Sequence, residues 1–219
     1  MEVKKDNTMK KVKKIFSIIL ILFIICFIFY TIRNFIIYSS IYSKVSLYYN
    51  TNNVYYEKYS SAEPEKLIKY SKLNDFEKIE TVKNNSIYLI NWNDFSNNEF
   101  LDIFIKDNVV VNRDKKPETH NLPLFVVKED NSLTNKFMKS MSTLITTEKF
   151  EESDCYVITQ SMQKTWIEKE TGLILKIEQK TKINDEEKIV TIIYSNWKFD
   201  ELTNEDIKKP NTDNYLIKK

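Results

Sequence analysis

The residues able to do chemistry are few and scattered. His120 is the only histidine of 219 residues, Gly172 the only glycine, and Cys26 and Cys155 the only cysteines. A single histidine excludes histidine-rich metal sites and the H-E-x-x-H pattern. It also makes any Ser-His-Asp triad depend on one residue in a loop punctuated by Pro117 and Pro123. A single glycine leaves no phosphate-cradling loop, no dinucleotide fingerprint and no G-x-S-x-G elbow. Cys155 sits in the apolar run CYVITQ and reads as a buried, inert thiol, while Cys26 lies in a lipid-compatible stretch, so the two cannot pair and offer no thiolate metal site. Glu151, Glu152 and Asp154 are the densest carboxylate group and read as solvated surface rather than an acid–base pair. The acidic link Asn184-Asp185-Glu186 lacks converging metal ligands. The expectation is a protein that is not an enzyme, with no catalytic residue, no cofactor and no metal.

Which elements carry these residues? From Ile15 to Ile32 only Ser17 and Thr31 interrupt an apolar run of 18 residues. At about 1.5 Å per residue such a run nearly crosses a hydrocarbon core of roughly 30 Å. Six lysines precede it, and Phe35–Tyr38 forms an aromatic collar at its far end. This pattern predicts a single-pass anchor with its N-terminus in the cytoplasm and the C-terminal bulk outside. A cleaved signal peptide needs a small-residue cleavage site, and no alanine precedes Ala62. The residues before Cys26 are too bulky for a lipoprotein signal. Residues 1–39 carry a net +5, leaving −3 for the remainder of a chain whose total is +2. Its basic character therefore belongs to the tail, which argues against nucleic acid as a partner. The predicted organisation is a cytoplasmic basic tail over 1–14, an anchor over 15–38, a helical connector over 39–53 and an extracytoplasmic domain over 54–219.

Beyond the break at Asn50–Asn53 the periodicity changes to short extended runs at 54–60, 66–73, 76–82, 86–92, 101–106 and 108–112. They are rich in Tyr, Ile, Val and Phe and are separated by turn residues. In SLTNKFMKSMSTLI the residues Leu133, Phe137, Met138, Met141, Leu144 and Ile145 share one helical face, with Asn131 or Ser132 placed to cap its start. That face either packs on a sheet or acts as an adaptable methionine-bearing lid over an apolar cavity, making it the candidate ligand-binding surface. Four antiparallel strands follow at 155–160, 165–169, 173–182 and 187–199. The alternation of Leu173, Leu175 and Ile177 with Lys176, Glu178 and Lys180 gives the third one dry and one wet side.

Gly172 falls between Trp166–Lys169 and Leu173–Ile177, where a short hairpin link calls for one residue at positive φ. Glycine enters that region freely, whereas a Cβ costs about 1–2 kcal/mol. Trp166, Gly172 and Leu173 are accordingly structural turn residues. Asparagine should be tolerated at position 172 better than valine.

The same stretch carries a family resemblance. Tyr156-Val157-Ile158, Trp166-Ile167-Glu168-Lys169, Thr171-Gly172-Leu173, Leu175-Lys176 and a closing Asn204-Glu205-Asp206-Ile207 with Pro210 resemble the LolA/LolB/RseB-like superfamily. The match covers residues 150–210. It implies an α+β fold: a strongly curved antiparallel sheet forming an open half-barrel, with helices on its concave side, here preceded by one transmembrane helix. It also implies binding rather than catalysis, either of an acyl chain or lipid in the concavity or of an envelope protein. One Gram-positive branch of the superfamily includes a spore-germination lipoprotein (GerS) that regulates a cortex amidase. A tethered chain departs from the carriers, which shuttle between membranes, and this one also lacks the germination lipoprotein's acylation signal. A membrane-anchored binding or regulatory module is the leading expectation. Its alternatives are an amidase regulator, a lipoprotein carrier or a purely structural surface protein.

Overall fold

A computed structural model describes residues 2–48, 51–118, 120, 122–125, 132–183 and 186–218. Asn50, Asn131, Asn184 and Asp185, used above as a helix break, a cap and a turn, lie outside the described residues.

The N-terminal apolar run belongs to one uninterrupted helix, α1 (Glu2–Val45), long and apolar enough over Val12–Val45 to cross a membrane. Side chains from Val12 to Phe29 are exposed, but Thr31, Asn34, Ile37, Tyr38, Ile41, Tyr42 and Val45 are buried. Anchor and connector, expected to divide between Tyr38 and Ser39, are thus one helix, and its burial in the domain begins at Thr31. Hydropathy cannot mark this division, because a side chain meant for lipid and one meant for a protein core have the same polarity.

Twelve strands form one open sheet in the order β12-β6-β5-β4-β3-β2-β1-β11-β10-β9-β8-β7. They are β1 (Asn53–Ser60), β2 (Lys66–Leu73), β3 (Phe76–Lys83), β4 (Ser86–Asp94), β5 (Glu99–Phe104), β6 (Val109–Asn112), β7 (Leu144–Phe150), β8 (Ser153–Gln160), β9 (Gln163–Glu168), β10 (Ile174–Ile183), β11 (Glu186–Phe199) and β12 (Leu216–Lys218). Each of the ten extended runs in the sequence becomes a strand. The sheet is mixed rather than purely antiparallel, because the terminal strand β12 runs parallel to β6. Two further helices are α2 (Leu133–Ser142) and α3 (Asn204–Ile207).

Helix α2 is shorter than its apolar periodicity suggested. It ends at Ser142, and Leu144 and Ile145 open β7, where Ile145 pairs with Ile158. Thr143, Thr146 and Thr147 explain the early stop, since β-branched residues lose rotamer freedom in a helix and fit a pleated strand. At the other end Ser132 caps the helix, its hydroxyl accepting from the Asn135 N–H at 3.1 Å.

The core divides between the two sheet faces. On one, Ile37, Tyr38, Ile41, Tyr42 and Val45 of α1 pack with Ile145, Ile158 and Ile167, with Leu124 and Phe125 from the 113–125 loop beside them. The same face continues as Val54, Tyr56, Tyr70, Ile174 and Tyr194. On the other, Trp92, Leu101, Ile103 and Val110 form a separate cluster, and the Trp92 indole donates to the Ile207 carbonyl of α3 at 2.9 Å. The closing C-terminal motif therefore covers the face opposite α1.

Gly172 has φ +79°. A Cβ there would also stand 3.1 Å from Lys44 Cβ and 3.2 Å from Val45 Cγ2, so the turn abuts the last turn of α1. Elsewhere the chain solves the same backbone problem mostly with asparagine: Asn74, Asn84, Asn85, Asn98, Asn108 and Asn196 all have φ between 50° and 60°, and Glu151, Ser161 and Asp200 also take positive φ. Asparagine is among the few residues with a side chain that tolerate this region. Glycine is kept where, besides positive φ, a Cβ would press on a neighbouring helix.

Candidate functional site

The expected lid face does not cover the sheet. Leu133, Phe137, Met138, Met141 and Leu144 are exposed to solvent, while Ile145 is buried beneath α1. The place a lid would guard is filled by α1 itself. Helix α2 instead lies along the flank of α1, held by polar contacts. The Asn34 amide donates to the carbonyls of Ser140 (3.1 Å) and Thr143 (3.0 Å), and the Tyr30 hydroxyl donates to Thr143 O. Tyr38 Oη donates to the Thr143 hydroxyl at 3.0 Å, and Arg33 reaches the Ile145 carbonyl at 3.1 Å. The Asn34 and Tyr30 bonds satisfy open carbonyls at the C-terminus of α2, which has no glycine cap.

A second polar constellation lies under the 113–125 loop. Glu77 on β3 is fully buried. Its carboxylate accepts from the Tyr70 hydroxyl (2.7 Å), the Asn93 amide (3.1 Å) and the His120 backbone N–H (3.3 Å), and pairs with His120 Nδ1 (3.2 Å). Burial pushes Glu77 upward, but the His120, Tyr70 and Asn93 hydrogen bonds and the His120 charge outweigh it and hold the carboxyl below its usual range. The bond to Glu77 raises His120 above the ordinary imidazole value, against a smaller opposing effect of burial. Arg113 extends the network, donating to the Asn93 side-chain carbonyl and pairing with Asp102 at 3.0 Å. Among the described residues the Tyr70 hydroxyl is committed to the same carboxylate, and the arrangement reads as a clasp holding the loop over the sheet. Sequence reasoning reached His120 but not its partner, because Glu77 lies 43 residues away on a strand whose other acid, Glu80, pairs with Lys78.

Cys155 is fully buried, and burial pushes its thiol upward; Cys26 is exposed on α1. Glu151, Glu152 and Asp154 are exposed at the β7–β8 turn. Among the described residues no group of three or more His, Cys, Asp or Glu side chains could hold a metal ion.

The two ends of the sheet differ. A meander puts alternate turns at opposite ends, and α1 runs from one end to the other. Its Tyr30 and Arg33 touch Thr143 and Ile145 at the start of β7, while Lys44 reaches the Lys169 carbonyl at the β9–β10 turn. The exposed stretch Val12–Phe29 therefore leaves the domain at the end holding the β1–β2, β3–β4, β5–β6 and β8–β9 turns and the β10–β11 hairpin. This end carries Leu144, Met162 and Ile189 exposed at 53, 67 and 59%. Ile87 and Tyr88 are exposed beside a depression of about 540 Å³ that is also lined by Ile105, Lys83 and Lys106. A second depression of about 300 Å³ lies between Met162, Lys164, Lys180 and Ile189. At the opposite end the turns carry Asp75, Glu151, Glu152, Glu170, Asp200 and Glu201.

No protein-family model matches the chain, and no curated protein does. Among solved structures it is similar to an uncharacterized conserved protein from Thermus thermophilus, at 13% identity and TM-score 0.49, over 82% of this chain and 96% of that one. It is also similar to a LolA superfamily protein from Nitrosomonas europaea, at 12% identity and TM-score 0.27, over 78% and 97% of the two chains. Likenesses this distant say nothing of what the chain binds.

Proposed function

We propose that this chain is a membrane-tethered binding module of the cell envelope, facing outward, which performs no chemistry and engages an apolar ligand. One observation carries the reading. A single helix presents an exposed apolar stretch of bilayer length and then becomes the core of the domain. The 18 residues of the apolar run Ile15–Ile32 measure about 27 Å along the axis, and Ile15–Phe29 are exposed. With six lysines before that stretch, the domain belongs on the outer side of the membrane.

An anchor that is also the core cannot be shed without unfolding the domain, which disfavours a carrier moving between membranes. The apolar ligand is a lipid or acyl chain, met at the exposed surfaces rather than in the concavity that α1 fills. Native mass spectrometry of the full chain extracted in mild detergent tests this. Copurifying phospholipid or acylated species is the expected result. A stoichiometric envelope protein without lipid would favour the regulator reading instead, and neither would leave a structural surface protein.

A further inference from the structure

Granted the anchor proposed above, we infer that the turn-bearing rim from which α1 emerges rests on the outer leaflet of the bilayer that α1 spans, with Leu144, Met162 and Ile189 among its lipid contacts. Four observations converge. The first is continuity: Tyr30 bonds to Thr143, so Leu144 sits where the exposed apolar part of α1 ends. Leu144 pairs with Thr159 of β8, whose strand runs on into the turn bearing Met162. The Lys180 N–H donates to the Met162 carbonyl at 2.9 Å, which brings the β10–β11 hairpin and Ile189, paired with Lys180, to the same level.

The second observation is distribution. Among the described residues outside α1 and α2, Leu47 is the one large exposed apolar side chain at the far end, and the others cluster at this rim or on β12 beside it. A water-facing rim has no reason to collect them, whereas a surface at headgroup depth does. Charge is the third. The rim intersperses exposed Lys106, Lys164, Lys180 and Lys182 with these residues, against exposed Asp107 and Glu187, and three further acids are already paired: Glu63 with Lys66, Glu65 with Lys83 and Glu186 with Lys188. Lysines on long stems suit a phosphate layer. The acid-rich turns of the opposite end face away from it.

The fourth is rigidity. Helix α1 passes from lipid into the domain without a break, so the rim is held at the surface rather than hung on a linker. Helix α2 flanks α1 with its C-terminal end at this same level, so Met141 lies close to the leaflet and a tilt of α1 toward α2 would lower Phe137 and Met138 into it.

The test uses the full chain with Cys26→Ser, reconstituted in nanodiscs of phosphatidylcholine and phosphatidylglycerol. Spin labels are placed on Cys at Met162, Ile189, Asn97 and Phe23, and collisions with oxygen and with a water-soluble nickel chelate are compared. The expected ratio of oxygen to nickel collisions at 162 and 189 is at least threefold that at 97, and approaches the ratio at 23. A lipid-like ratio at 23 with water-like ratios at 162 and 189 overturns the docking while leaving the anchor intact. A water-like ratio at 23 overturns both. Labels at 162 and 189 shielded from both reagents would mean that a second copy covers the rim, which also overturns the proposal.

Discussion

Substituting Gly172 separates two demands that usually coincide, backbone conformation and close approach. At φ +79° a residue with Cβ is penalised by about 1–2 kcal/mol, less for asparagine. A Cβ would also stand 3.1 Å from Lys44 Cβ, 3.2 Å from Val45 Cγ2 and 3.4 Å from the Ile41 carbonyl. The third is ordinary contact, but the first two are tight and Lys44 Cβ cannot swing aside, so overpacking adds about 1–2 kcal/mol. Gly172→Val should therefore cost about 2–4 kcal/mol. Gly172→Asn should cost about 1–2 kcal/mol, because asparagine relieves the backbone term but not the contact. Asn74→Gly, at φ 54° in an exposed turn, should stay within about 0.5 kcal/mol. Urea unfolding of the full chain in detergent, followed by tryptophan fluorescence, gives all three. Adding Val45→Ala should shrink the Asn penalty in a double-mutant cycle. If Gly172→Asn proves as harmless as Asn74→Gly, the turn does not press on α1 and the account of the lone glycine fails.

Other consequences follow from the packing of α1 and the Glu77 clasp. A chain beginning at Tyr30 should give a cooperative, dispersed NMR spectrum, whereas one beginning at Ser39, which lacks Asn34, Ile37 and Tyr38, should not fold. Asn34→Leu strips two carbonyls at the end of α2 of a buried donor and should cost about 1–3 kcal/mol, with faster hydrogen exchange confined to α2. For the clasp the signs differ between partners. The folded-state pKa of His120 is raised above 6.5, so its contribution is complete below that pH and is lost as pH rises through the folded value. That of Glu77 is lowered below 4.5, so its contribution is complete above that pH and is lost as pH falls through the folded value. Thermal melts should thus show the full chain losing stability from about pH 6.5 upward, and His120→Gln should abolish that slope.

Much of the sheet was legible because its strands alternate cleanly and its turns are spelled in Asn, Asp and Ser. What escaped did so for identifiable reasons. Strand β7 was hidden because Leu144 and Ile145 continue the helical spacing of Leu133–Met141, and only the threonines around them signal extension. Strand β12 has three residues, all exposed, and no periodicity to read. The role of α1 was half visible: its apolar face was plain, but the exchange of lipid for protein at Thr31 depends on a sheet that forms later in the chain. The candidate face on α2 was found as a face, but its direction was not, since a hydrophobic stripe does not say what it meets. The rim was invisible for a related reason, its residues coming from turns spread over more than 100 positions and drawn together only by the meander.

The central claim is that one helix both crosses the membrane and fills the domain that stands outside it. Labelling with a membrane-impermeant maleimide in intact cells tests this most directly, comparing Cys26 itself in a Cys155→Ser chain with single cysteines, in a Cys26→Ser, Cys155→Ser background, at Asn7, Tyr38 and Asn97. Position 97 should react at once and position 7 only after permeabilisation, while Cys26 and position 38 should stay silent until the protein is unfolded. Reaction at position 7 from outside, loss of that position from the mature chain, or protection of position 97 in intact cells would contradict the account.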